Sequence, residues 1–218
     1  YIFIEFMRKI ISEFLGMLLL TMSVVGSGIM ASNLTSDNTL TLLSNSYSTA
    51  AMLVIIIVIF RGISGAHFNP AVSFSFFLQN KLQSKYFFYF ILAQILAGIS
   101  AVMIIHLIFN IDIIQTILNY RNGYNIFISE LIATFFLVFI ILLSTNKDDL
   151  TVGVLIGLYI GSAYFFTSST SFANPAITIA RSLTDTFTGI HPSNIATFML
   201  AQFIGSYLAT KTYIKFYY

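Results

Sequence analysis

Two Asn-Pro-Ala triplets, Asn69-Pro70-Ala71 and Asn174-Pro175-Ala176, hold two of the three prolines in a chain that is otherwise almost continuously apolar. Asn is a favoured helix N-cap and Pro a favoured first helical residue, so each triplet marks a helix start. Only about ten helix-compatible residues follow each, too few to cross a hydrocarbon core of roughly 30 Å. The chain is therefore expected to contain two helices that begin inside a membrane. The rest of the sequence reads as the means of holding those two starts together.

Composition agrees. Hydrophobic residues make up 57% and charged residues 8%, with a mean hydropathy of +0.89, whereas soluble chains carry about 25% charged residues. The first apolar run is too long for a signal-peptide core and lacks a clear cleavage site, so it reads as a span. With no cysteine, disulfides, thiolate catalysis and cysteine metal sites are excluded. A net charge of +2 on scattered basic residues gives no nucleic-acid footprint. No nucleophile–base constellation or metal cluster is visible, so neither enzyme nor cofactor is indicated.

Read in order, the spans cover about Ile10–Met30, Thr39–Phe60, Lys85–Phe109, Asn125–Leu143, Leu150–Phe166 and His191–Ala209. Half-helices run from Asn69 to Leu78 and from Asn174 to Leu183. The Gly-rich stretch from Arg61 to Phe68 is expected to break the second span. Glu13, a triplet and Gln94 recur as Glu130, a triplet and Gln202 a little over a hundred residues later. Each half has three spans, an odd number, so the second half must lie upside down relative to the first. The reading is an all-α membrane protein: one domain, residues 1–218, with six spans and two half-helices in inverted repeats of about 8–109 and 125–214. With cytoplasmic termini, Arg8, Lys9, Arg61, Lys81, Lys85, Lys147, Lys211 and Lys215 lie inside and only Arg121 and Arg181 outside, as the positive-inside rule requires.

The run Gly65-Ala66-His67-Phe68-Asn69-Pro70-Ala71-Val72, paired with the second triplet, resembles the aquaporin and glycerol-facilitator family, the major intrinsic proteins. The resemblance spans nearly the whole chain. It implies a pore in each protomer of a homotetramer, carrying small neutral solutes and water through the lipid bilayer. Two helix N-termini meeting at mid-membrane would form a positive barrier to cations and hydronium. The side-chain amides of Asn69 and Asn174 would donate to passing oxygens. The resemblance makes Glu13 and Glu130 braces for the half-helix loops, in preference to the proton relay that buried carboxylates otherwise suggest. His67 is expected to line the inner pore or hold its loop, with a pH gate as the lesser reading. His106 and His191 are expected at the interface.

One departure from the family matters. Where ordinary members have a filter arginine after the second triplet, this chain has Ile177. The family's spacing puts the other filter positions at Thr49, Ser162 and Ser171, with Gly161 the alternative to Ser162. These small uncharged groups imply a wide, weakly polar filter. The run from Asn174 to Phe187 further resembles an aquaporin branch found with bacterial arsenic-resistance genes, which implies uncharged metalloid hydroxides, such as arsenious acid, as solutes and a bacterial inner membrane as the location. Arg181, one turn beyond Ile177, carries two readings: a charge in the outer vestibule, or a partner of Asp185 and the interface. The second is preferred. The rival functions are a water-selective channel and, from another class, an ion-coupled transporter, which also uses broken helices.

Overall fold

A chain in hydrocarbon satisfies its backbone by closing hydrogen bonds within each segment. In the computed structural model, which describes residues 2–217, helices dominate accordingly. The long ones are α1 (Ile2–Leu34), α2 (Asn38–Ser64), α4 (Ser84–Ile108), α5 (Tyr124–Leu143), α6 (Asp149–Phe166) and α8 (Ile195–Phe216), the last entered through a 3₁₀ turn at Pro192–Asn194. Two short helices, α3 (Pro70–Leu78) and α7 (Pro175–Arg181), lie between them. Among the described residues, α1, α2, α4, α5 and α6 are long and apolar enough to cross a membrane. The sixth, α8, has 22 residues and is more polar, with Lys211 and Lys215 towards its end.

Local chemistry sets the ends. Asp37 caps α2 by accepting from the backbone of Thr39 at 2.7 Å, and Asp148 caps α6 by accepting from Thr151 at 2.9 Å. The expected break at Arg61 is corrected: α2 continues through it to Ser64. Gly65 ends the helix, since at φ 95° it takes the left-handed conformation that glycine adopts without steric cost. Both α1 and α8 also outrun their expected spans, α1 beginning at Ile2 and α8 ending at Phe216.

The halves interlock. In each, the first and third long helices pair, α1 with α4 and α5 with α8. Each short helix then leans on the third long helix of the opposite half, α7 on α4 and α3 on α8. Helix α2 meets α6 through small residues; a Cβ on Gly157 would stand 2.7 Å from the Ala50 carbonyl, the close backbone approach that membrane helices favour. Large apolar side chains such as Phe88, Leu92, Leu96 and Leu158 face outward. Polar groups, including Glu13, Gln94, Glu130 and Gln202, are fully buried. This inside-out distribution suits lipid outside and a polar path within.

The connection at 109–123 packs inward: Ile117 is buried and His191 N donates to Asn119 O at 2.8 Å. His106 is not interfacial as expected. It is completely buried, with Nε2 at 2.9 Å from Thr184 Oγ1, because the segment after α7 folds back over α4. His191 is half-buried and stacks on Tyr120 with ring centroids 3.9 Å apart.

Candidate functional site

The two half-helices meet at their N-termini, and each loop leading to them is held by one buried carboxylate. Glu13 accepts from the backbone of His67 at 2.9 Å and Phe68 at 2.7 Å, and from Ser64 Oγ and Gln94 Nε2. Glu130 accepts from Phe172 and Ala173, both at 2.9 Å, and from Gln202 Nε2 at 2.7 Å. The loops need such bracing. Ala66, Phe68, Ser171 and Ala173 all lie near φ 50°, a left-handed backbone costing non-glycine residues on the order of 1 kcal/mol each. The strained residues occupy matching places in the two halves. Ser73 and Thr178, each four residues after its triplet Asn, extend both networks by accepting from Gln94 and Gln202. Neither hydroxyl was foreseen from the sequence, although their common offset from the triplets was a usable signal.

Asn69 and Asn174 perform two tasks. Each side-chain oxygen caps its own helix, accepting from Ala71 at 2.9 Å and Ala176 at 3.0 Å. Each amide nitrogen crosses to the other loop: Asn69 Nδ2 donates to Ala173 O at 2.7 Å and Asn174 Nδ2 to Phe68 O at 2.8 Å. This reciprocal pair ties the helix starts together. An amide carries two N–H donors, so each Asn keeps a second one beside the cavity that both residues line. Two helix N-termini, each with roughly half a positive charge, converge there.

A narrow cavity of about 60 Å³ passes this junction, bounded by Thr49, Tyr164, Ser171, Ile177 and Arg181 at one end and Ala66, His67 and Ile141 at the other. A second, roomier cavity of about 360 Å³ opens beyond it, bordered by Arg61, Thr145 and Asp149. The two share Ile57, Ala66, His67, Val72, Ile141 and Ile156, so they follow one another along a single path. His67 lines both; its Nδ1 lies 3.0 Å from Ser73 Oγ and its ring stacks on Phe76. Arg61 bridges at the far mouth to Asp149 and to the carbonyls of Lys147 and Thr145. Among the described residues no group of three His, Asp or Glu is arranged to hold a metal.

The structure brings three of the four expected filter residues together and excludes one. Thr49, Ser171 and Ile177 line the cavity, whereas Ser162 is exposed on the far side of α6 and donates to Leu158 O. Helix phase is the reason. Gly153, Gly157 and Gly161 press α6 on α2, which turns Ile156, Ile160 and Tyr164 towards the path. Position 162, two residues from both 160 and 164, is rotated about 200° away. The neighbouring alternative, Gly161, packs near Ala50 and does not line the cavity. Tyr164, not foreseen from the sequence, stands there instead, its hydroxyl 3.2 Å from Thr49 Oγ1. Its four-residue repeat with Ile156 and Ile160 was the available signal.

Arg181 does not pair with Asp185, which instead accepts from the backbone of Leu118. It is buried at 2% exposure, lines the cavity, and lies over the Phe172 ring with Cζ 3.3 Å from the centroid. Its Nε donates to Thr188 O. The preferred sequence reading of this residue is thereby overturned.

Inverted halves, a polar path through an apolar bundle and paired helix starts define an integral membrane channel for small solutes. Comparisons with known proteins are specific about which kind. Residues 2–213 match the family model described as major intrinsic protein. The chain is 42% identical over 202 residues to "Aquaglyceroporin AqpS" of Rhizobium meliloti, covering 93% of this chain and 87% of that one. It is 29% identical over 170 residues to "Aquaporin NIP1-1" of Arabidopsis thaliana, spanning 56% of that relative's length. The fold is similar to the crystal structure of the aquaglyceroporin from Plasmodium falciparum, with a TM-score of 0.82 over 97% of this chain and 96% of that chain at 20% identity. The chain belongs to the major intrinsic protein family, and its members are channels, not enzymes.

Proposed function

We propose that this protein is a passive channel for compact neutral solutes bearing several hydroxyls, glycerol-like polyols and metalloid hydroxides among them, with water as a co-permeant. One observation carries the reading: Thr49, Ser171 and Ile177, small and uncharged, line the cavity where a filter would stand. Pore width and lining donors set selectivity in such channels, and a lining that combines hydroxyls with aliphatic groups suits a polyol's polar and apolar faces. The aquaglyceroporin name of the rhizobial relative supports glycerol as a solute. In this reading Asn69-Pro70-Ala71 and Asn174-Pro175-Ala176 form the central constriction, Glu13 and Glu130 brace it, and His67 lines the cytoplasmic half. The Arg181 end faces outward, the termini are cytoplasmic, four protomers assemble in the membrane, and the membrane is a bacterial inner one.

A water-selective channel is the second reading, favoured by the ring of Tyr164 and the guanidinium of Arg181 at that same end. Stopped-flow light scattering on proteoliposomes separates the two, comparing water, glycerol and arsenite flux before and after Ile177→Arg. Glycerol and arsenite flux that falls at least tenfold in the variant, while water flux survives, supports the wide filter. Water flux alone, in both proteins, makes the channel water-selective.

A further inference from the structure

The position after the second triplet holds Ile177, so the charge that would stand there is missing, yet a guanidinium lies one turn farther along the same short helix. We infer that Arg181 is the specificity-determining charge of this pore, excluding cations and hydronium where the filter groups Thr49, Ser171 and Ile177 carry no charge to do so. The inference rests on the channel reading above.

Four observations carry it. Arg181 is 2% exposed yet lines the cavity, so its remaining surface faces the path. Among the described residues it forms no ion pair; the two such pairs are Lys9–Glu5 and Arg61–Asp149, and the nearby Glu130 carboxylate is occupied by Phe172 N, Ala173 N and Gln202. The only hydrogen bond that Arg181 donates to a described residue uses Nε, which leaves both terminal nitrogens for the cavity. Finally, Ser171, 3% exposed and lining the same stretch, has a hydroxyl with no protein partner, so a polar group awaits a permeating molecule beside the guanidinium.

The surroundings fix that charge in place. The Arg181 guanidinium covers one side of Phe172, and Arg121 approaches the same ring with Cζ 5.6 Å from its centroid. Arg121 is anchored in turn by the carbonyls of Gly189 at 3.1 Å and Phe187 at 3.0 Å. Backbone oxygens thus hold both cations without cancelling their charge. A cation passing within about 6 Å of an unpaired guanidinium, at an effective dielectric near 20, is disfavoured on the order of a hundredfold. A neutral polyol meets no such penalty and gains a donor.

The test uses the full chain in proteoliposomes, with sodium and proton leak measured beside glycerol flux. Arg181→Gln should raise sodium leak roughly a hundredfold over the unsubstituted protein, and Arg181→Lys should restore exclusion. Because Arg181 also ties the segment at Thr188, a purely structural role must be separated. Arg181→Cys does so in this cysteine-free sequence, since a cationic methanethiosulfonate reagent should restore low sodium leak and a neutral one of similar size should not. A tight Arg181→Gln channel, or an Arg181→Cys leak that responds equally to both reagents, would overturn the inference. Failure of the unsubstituted protein to pass glycerol would instead sink the solute reading, and is read from a separate trace.

Discussion

Glu130 sits among two backbone N–H groups and the Gln202 amide, all donors, and so acts as an acceptor through both oxygens. Glu130→Gln replaces one acceptor oxygen by an NH₂ facing those donors. A buried donor left without a partner costs about 1–3 kcal/mol, more where a charge was involved. We expect a loss of about 3 kcal/mol, seen as a lowered thermal midpoint by circular dichroism in detergent, with flux per folded protein unchanged. Flux that disappears from fully folded protein would reinstate the relay role. Roles like this were legible in the sequence because they repeat: Glu13 and Glu130, Gln94 and Gln202, and the two triplet asparagines each announce themselves twice. For Arg181 the residues left two readings open and favoured the wrong one. Its surroundings, Phe172 and the Thr188 carbonyl, come from segments whose folding back no local pattern records.

Helix starts were written in local chemistry, which is why α3 and α7 lie where Asn and Pro place them. Which side of a helix faces the path was not, because it depends on how closely two backbones approach. Ser162 was assigned to the filter by counting, and it points away because Gly153 and Gly157 set the rotation of α6 against α2. Gly157→Leu tests that cause. Its Cβ would meet the Ala50 carbonyl at 2.7 Å and Val54 Cγ2 at 2.9 Å, so the helices must separate, at roughly 1–3 kcal/mol for such overpacking. The thermal midpoint should fall, and Tyr164 should shift away from Thr49, changing glycerol flux. At the start of the same helix, the Asp148 carboxylate is held below its usual range, first by the Thr151 hydroxyl and then by the Thr151 backbone N–H. A depressed folded value means stabilisation that is present above the unfolded pKa and lost as pH falls through the folded one. Asp148→Ala should therefore lower the thermal midpoint at pH 7, with the difference shrinking as pH falls through the depressed folded pKa.

For the whole molecule, inversion lets one device serve twice. Two short helices enter from opposite sides, their positive ends meet, and the crossed Asn69–Ala173 and Asn174–Phe68 bonds lock the meeting point. Which way this assembly stands in the membrane decides which mouth Arg181 guards. Eight basic residues against two argue that the termini and Arg61 face the cytoplasm. The absence of cysteine makes that directly measurable, since any introduced thiol is the sole target for a maleimide. Ser36→Cys and Asn122→Cys would sit in exposed connections on the Arg181 side, and Gln83→Cys in an exposed turn on the other. In intact cells, a membrane-impermeant maleimide should label the first two and spare the third, which should react only after lysis. The reverse pattern would put the guanidinium at the inner mouth and leave the outer one with Arg61 and Asp149, although in a passive pore the barrier would still oppose cations moving either way.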